Sequence, residues 1–260
     1  MRHLNQAALL LILLLATLTT DVNATVLVAP SSDASTEGNT NSYSPFNAFS
    51  NESVRYQQVF NATEFSSLGS AEYITQLIFR PDGVLGNAFS GKASGYKIYL
   101  STTSASADNL SSTFSNNIGS DNTLVFNGIL LLSSSFTGPA GGPKDFDIVL
   151  NLQTPFLYNP SAGNLLLDVS KPENAFSGQS TGSLDASSAT DDSTSSVIYE
   201  SFNSLDNATT ATSGAKTSTG LITEFTFSSV PEPSAVVLSL FSVGGCFLFR
   251  GSRFRRNKIS

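Results

Sequence analysis

Residues 25–230 contain no histidine, no cysteine and no tryptophan. The single histidine of the chain, His3, lies near the N-terminus, and the single cysteine, Cys246, lies in an apolar stretch near the C-terminus. Zinc sites built on His or Cys, Ser-His-Asp triads and Cys-His pairs are therefore excluded from residues 25–230. Disulfides are excluded as well, so a hydrophobic core must supply the stability, and about 200 residues are enough to bury one.

Positive charge is also scarce in this part of the chain. Residues 25–230 contain seven Lys and Arg against 18 Asp and Glu, which gives a formal net charge of −11. So acidic a surface disfavours nucleic acid and anionic lipid as partners. It suits an exported protein that must stay soluble, and divalent cations are its natural counter-ions.

Residues 1–24 have the three parts of a secretory signal peptide. Arg2 and His3 form a short positive region, residues 7–16 are apolar, and the residues just before Thr25 are small enough for a signal peptidase. We predict cleavage before Thr25, with signal peptidase as a processing partner. The alternative is an uncleaved membrane anchor.

Residues 230–260 combine a Pro-Glu-Pro tripeptide, an apolar run and a basic tail. The tripeptide is Pro231, Glu232 and Pro233, and the apolar run covers residues 235–249. The tail, 250–260, carries five basic residues: Arg250, Arg253, Arg255, Arg256 and Lys258. At 1.5 Å per residue the run makes a helix of about 22 Å, which is short for a hydrocarbon core of about 30 Å. The basic residues place the tail in the cytoplasm and the preceding domain across the membrane.

Together these C-terminal residues resemble the PEP-CTERM sorting signal of bacterial exported proteins. The resemblance implies that an exosortase, a membrane transpeptidase or protease, removes the tail near the tripeptide. It also implies a Gram-negative-type or related bacterium that makes extracellular polysaccharide. Segments 98–126 and 154–169 are similar to β-rich domains that often precede such tails, which brings no established activity. The alternative is an ordinary tail anchor with a chance Pro-Glu-Pro linker.

Apolar residues between the two ends recur in short alternating runs. In the clearest run, 145–152, Phe146, Ile148, Leu150 and Leu152 fall on one face. Clusters of Gly, Pro, Asn, Asp and Ser separate the runs. No run of ten or more residues in this part of the chain has a helical period with capping signals. The sequence therefore predicts an all-β domain: an antiparallel, jelly-roll-like two-sheet sandwich of about eight to ten strands.

The predicted β-sandwich covers residues 44–229, and three stretches of the chain lack a packing pattern. One is the leader segment 25–43, whose first residues could form an edge strand. The others are the Ser/Thr-rich segments 177–196 and 207–219, which have too little apolar surface to fix one conformation. We predict surface loops there, with attachment of O-linked glycans as the alternative.

Candidate chemistry is limited to carboxylates and tyrosines. Asp145 and Asp147 are two apart on a predicted strand and could hold a structural calcium; the alternative is a solvated strand face. No other cofactor is expected. Paired carboxylates could hydrolyse glycosidic bonds, but nothing in the sequence selects a pair. Six tyrosines could stack on sugar rings: Tyr43, Tyr56, Tyr96, Tyr99, Tyr158 and Tyr199.

The sequence thus predicts an exported, non-enzymatic protein of the cell envelope or extracellular matrix, with a structural or adhesive β-domain. It would cross the cytoplasmic membrane, stay anchored by residues 235–249 until processing, and then reach the cell surface or the medium. One alternative is a carbohydrate-binding module for extracellular polysaccharide. Another is a carboxylate-based glycosidase or lyase, whose structural sign would be a cleft with two acids, one of raised pKa.

Overall fold

The computed structural model describes residues 24–46, 52–173, 176–178, 182–189, 193–201 and 207–230. Residues 1–23 of the predicted signal peptide lie outside the described residues. So do the Pro-Glu-Pro tripeptide, the predicted membrane helix and the basic tail. Within the described part of the chain, no helix has the length and apolar character needed to cross a membrane.

The described residues fold almost entirely into antiparallel β-strands, as the alternating runs predict. The strands are β1 (Ala24–Ala29), β2 (Thr40–Ser42), β3 (Ser53–Phe60), β4 (Glu72–Phe79), β5 (Pro81–Gly86), β6 (Phe89–Thr103), β7 (Thr123–Ser134), β8 (Ile148–Tyr158), β9 (Asn164–Lys171), β10 (Phe176–Gly178), β11 (Gly182–Ser188), β12 (Thr194–Ser201), β13 (Ala215–Thr217), β14 (Thr219–Leu221) and β15 (Thr223–Ser229). Short 3-10 helices lie at Ser31–Asp33, Ala62–Phe65, Phe114–Asn116, Pro160–Ala162 and Ala208–Thr210. There are more strands than predicted, because three-residue strands are too short to show a two-residue period.

The strands form three sheets. One has four strands in the order β1-β15-β4-β8. A seven-stranded sheet runs β10-β6-β9-β3-β12-β13, with β7 paired to β6. A small third sheet has the order β14-β11-β2, with β5 paired to β11. The leader segment therefore contributes β1 to one edge and β2 to another.

One hydrophobic core joins the two larger sheets. Phe60 on β3 packs edge-to-face on Phe225 of β15, with 5.1 Å between ring centroids. Phe65, in the 3-10 helix beside them, is fully buried and lies 5.2 Å from the rings of both Phe225 and Tyr158. Edge-to-face geometry is favourable for aromatic rings, so these contacts stabilise the core beyond the apolar area that they bury.

Strand β8 follows the predicted alternation from Ile148 onward but begins later than predicted. Ile148 and Leu150 are buried and Val149 between them is exposed. Asp145, Phe146 and Asp147 precede the strand, so the two acidic residues do not share a strand face as the sequence pattern suggests.

The composition of the Ser/Thr-rich segments predicts loops, but parts of both segments form strands. Segment 177–196 contains β11, which is buried up to its last residue, and segment 207–219 contains β13. Buried hydroxyls find backbone acceptors: Thr194 Oγ1 donates to the carbonyl of Val59 at 2.8 Å, and Ser196 Oγ to that of Thr219 at 2.7 Å. A small hydroxyl side chain that donates to a carbonyl can be buried at little cost.

The two ends of the compact β-unit, Ala24–Ser229, lie side by side. Ala24 at the start of β1 pairs with Ser228 near the end of β15, and the pairing continues to Ala29 and Thr223. The chain therefore enters and leaves this unit at the same place on one sheet.

Candidate functional site

Most of the site residues predicted from sequence lie outside the described residues. These are the tripeptide Pro231, Glu232 and Pro233 and the five basic residues that follow it. The calcium candidates Asp145 and Asp147 are described. Asp147 Oδ2 accepts hydrogen bonds from Ser134 Oγ at 3.1 Å and from the Ser135 N–H at 2.7 Å, and so ties the end of β7 to the segment before β8. Asp145 is exposed.

The structure instead brings together three other carboxylates. Glu37 in the leader segment, Asp82 on β5 and Asp185 on β11 each offer an oxygen within 4.8 Å of the other two. Among the described residues, these are the three acidic side chains that lie close enough together to share a cation. Asp145 and Asp147 do not belong to this group. Sequence reasoning missed it because its members come from three distant segments with no common motif.

A buried guanidinium lies among these carboxylates. Arg80, which is 1 % exposed, donates from Nε to Asp185 Oδ2 at 2.7 Å. Its Nη2 donates to the carbonyls of Asp33 at 2.9 Å and Thr36 at 2.6 Å. The guanidinium also lies 4.8 Å from the ring centroid of Phe146. Arg80 therefore fastens the leader segment to β11, although its Arg-Pro-Asp-Gly context resembles a simple turn.

Backbone N–H groups occupy most of the remaining carboxylate oxygens. The Gly38 N–H donates to Asp185 Oδ1 at 3.0 Å, and the Gly83 N–H donates to Glu37 Oε1 at 2.6 Å. A side chain at Gly38 would meet the carbonyl of Ala186 at 2.1 Å, so only glycine allows this approach. Glu37 Oε2 is buried without a hydrogen-bond partner among the described residues.

Burial raises the pKa of Asp185 to about 6, opposed by the Arg80 guanidinium and reinforced by the nearby Glu37. Three carboxylates and one guanidinium leave an excess of negative charge, and hard oxygen ligands suit calcium in general. Here, however, Arg80 already supplies a counter-charge and donors hold the oxygens of Asp185. The group therefore acts as an internal clamp, which we call the Arg80 clamp: Arg80, Glu37, Asp82 and Asp185.

A cleft of about 420 Å³ opens where β2, β12, β13 and β14 meet. Its lining is mainly polar: Asn41, Ser42, Tyr43, Ser44, Glu52, Ile198, Glu200, Thr217 and Thr219. The volume lies in the range of small-molecule sites, about 300–1,000 Å³. We call this feature the Tyr43 cleft.

Tyr43 is the exposed member of the six tyrosines considered from sequence. It is 43 % exposed, whereas Tyr56, Tyr96 and Tyr158 are buried. Each buried hydroxyl donates to an internal acceptor: Tyr56 to Gln58 Oε1 at 2.7 Å, Tyr96 to the carbonyl of Pro45 at 3.0 Å and Tyr158 to that of Gly163 at 2.9 Å. Tyr99 and Tyr199 are half-buried. Tyr43 therefore presents the best aromatic surface for a ligand.

Two glutamates line the Tyr43 cleft. Glu200 is exposed and accepts a hydrogen bond from Ser44 Oγ, while Glu52 is 2 % exposed. Lys171 is fully buried, and its Nζ donates to the backbone carbonyl of Glu52 at 2.8 Å. Burial lowers the pKa of Lys171, and the carboxylates of Glu52 and Glu200 oppose this shift.

Two carboxyl groups with raised pKa values lie away from the Tyr43 cleft. Burial raises the pKa of Asp185 and of Glu224, and neither residue lines it. The Tyr43 cleft holds two acids, Glu52 and Glu200, which is the first feature expected of a glycosidase.

No protein-family model matches the chain, and no curated protein or solved structure is significantly similar to it.

Proposed function

We propose that the chain is an exported, non-enzymatic protein of the cell envelope or extracellular matrix with a structural or adhesive β-domain. An exosortase-type enzyme recognises its tail at Pro231-Glu232-Pro233, and residues 235–249 anchor it in the membrane until then. The mature protein then resides at the cell surface or in the medium. We further propose the jelly-roll-like two-sheet sandwich as its architecture, which the shared core of the two larger sheets supports.

One observation carries the proposal: both predicted processing points fall at the ends of paired strands. β1 begins at Ala24, one residue before the predicted new N-terminus, and β15 ends at Ser229, two residues before Pro231. Cleavage before Thr25 would remove only the Ala24–Ser228 pair from the β1–β15 ladder. A cut near the tripeptide would leave β15 whole. Both segments can therefore be removed while the sheet and core stay intact.

Replacing Pro231, Glu232 and Pro233 together by alanine tests this proposal. In the host, the wild-type protein should reach the surface or the medium without its tail. The variant should stay in the cytoplasmic membrane fraction with its tail attached, and cells that make only this variant should attach to surfaces less well.

The matched control is Pro139→Ala, which changes one proline in an exposed stretch between β7 and β8. It should be processed like the wild type. Release and tail loss of the triple variant at wild-type levels would contradict recognition of the tripeptide.

A second candidate function, carbohydrate binding, is favoured by the Tyr43 cleft. An exposed tyrosine beside hydroxyl, amide and carboxylate groups matches the needs of a hydroxyl-rich ligand, because the ring face packs on the sugar and the polar groups bind its hydroxyls.

A further inference from the structure

The charge that a ligand meets in the Tyr43 cleft is negative. Glu200 is exposed there and is held by Ser44 Oγ. The cation beneath, Lys171, is fully buried and directs its Nζ to the carbonyl of Glu52. Burial keeps Lys171 from contacting a ligand, and the two glutamates of the cleft, Glu52 and Glu200, outnumber this one cation. An anionic ligand would meet repulsion, and a cationic one attraction.

The aromatic group of the cleft favours the same sign of charge. The face of a tyrosine ring carries negative electrostatic potential and attracts ammonium groups within about 6 Å of its centroid. Tyr43 and Glu200 line the same cleft. Both therefore attract a cationic ligand into this cleft, while Asn41, Thr217 and Thr219 offer hydrogen-bonding groups to its hydroxyls.

A second, smaller cavity lies beside the same strand, β13. Thr217 lines this cavity of about 140 Å³ as well, together with Asp108 and Lys216 among others. There the opposite charges of Asp108 and Lys216 offset each other. A ligand that reached this second cavity would not meet a net positive site there.

Building on the second candidate function, we propose that the Tyr43 cleft binds a saccharide that carries free amino groups. Tyr43 packs against the sugar and its amine, Glu200 pairs with the amine, and the Asn and Thr side chains bind hydroxyls. The preferred class is an amino-sugar oligomer, ahead of a neutral oligomer and well ahead of a uronate oligomer.

Isothermal titration of the full-length chain tests this, in a sugar-free zwitterionic detergent and a mildly acidic buffer that keeps hexosamine amines charged. The probes are a glucosamine hexamer, cellohexaose and a galacturonate hexamer. We expect saturable binding of the glucosamine hexamer, weaker binding of cellohexaose and none of the galacturonate hexamer. Tyr43→Ala and Glu200→Gln should each weaken glucosamine binding roughly tenfold.

Two variants control for folding and for general charge. Tyr43→Phe keeps the ring and should bind within about twofold of the wild type, since the ring face carries the interaction. Asp121→Asn removes one exposed carboxylate outside the cleft, where Asp121 Oδ1 accepts from the Thr102 N–H, and should leave binding unchanged.

The outcomes separate the two levels of the proposal. Equal loss of binding in Asp121→Asn and Glu200→Gln would mean attraction by the acidic surface as a whole and would overturn the site. Tighter binding of the galacturonate hexamer would overturn the ligand class but keep carbohydrate binding. No binding of any probe would overturn carbohydrate binding altogether and leave export and tail processing untouched.

Discussion

Replacing Arg80 by methionine should strongly destabilise the protein. Methionine keeps most of the apolar stem of Arg80 but removes the guanidinium. The Arg80 side chain is 1 % exposed and the Asp185 side chain 0 %, so their ion pair is buried. The change leaves a buried carboxylate without its cation and takes a donor from the carbonyls of Asp33 and Thr36.

The expected loss is about 3–5 kcal/mol, the range for removing one partner of a buried ion pair. For a domain of this size, that lowers Tm by roughly 6–20 °C. Urea denaturation of the exported protein, followed by far-ultraviolet circular dichroism, measures it. Because Arg80 holds down the pKa of Asp185, the loss should shrink as Asp185 takes up a proton at low pH.

The second ion pair of the described residues supplies the control. Arg55 Nη2 lies 2.6 Å from Asp168 Oδ2, but the Arg55 side chain is 20 % exposed. Gln57 Nε2 also donates to Asp168 at 2.7 Å, so the carboxylate keeps a partner when Arg55 is replaced. Arg55→Met should therefore cost only about 1 kcal/mol. A loss in Arg80→Met no larger than in Arg55→Met would refute the clamp.

Two further predictions concern pH and buried hydroxyls. The pKa of Asp185 is about 6 in the folded protein, above about 3.9 in an unfolded chain, so its contribution to stability is complete below pH ~4 and disappears as pH rises to ~6. In thermal melts, the stability of Asp185→Asn should not show this fall, which is worth up to roughly 3 kcal/mol in the wild type. A difference in stability between the variant and the wild type that stays constant with pH would contradict the prediction. Thr194→Val should lose about 1–3 kcal/mol in urea denaturation, because the Val59 carbonyl and Gln58 Nε2 lose a buried partner. Thr217→Val, at an exposed position, should change stability by less than about 0.5 kcal/mol, and equal effects would refute the role of the buried hydroxyl.

The all-β fold could be predicted because strands such as β8 bury one face and expose the other. From Ile148 to Leu150 the pattern alone separates core from surface. Strand β11 could not be predicted, because both its faces are buried up to Ser187 although its serines are typical of exposed segments. Ser183 Oγ is buried there without a hydrogen-bond partner among the described residues. Composition gives the cost of burying a hydroxyl but not the carbonyl that removes that cost.

The candidate site was predictable only in its residue types. Tyr43 appeared among six tyrosines, and exposure separates it from the others only once β2 is placed beside β11 and β14. Arg80 lies in a sequence that favours a turn, yet its partners Asp185 and Thr36 lie far from it in the chain. Such long-range pairs leave no local pattern, so only the fold reveals them.

The central claim is that both ends of the chain are removed around an intact β-domain. Intact-mass spectrometry of the protein isolated from the surface or the medium of its host tests it most directly. We expect a chain that starts at Thr25 and has lost the residues beyond the Pro231-Glu232-Pro233 region. Mature protein that still ends at Ser260 would contradict it.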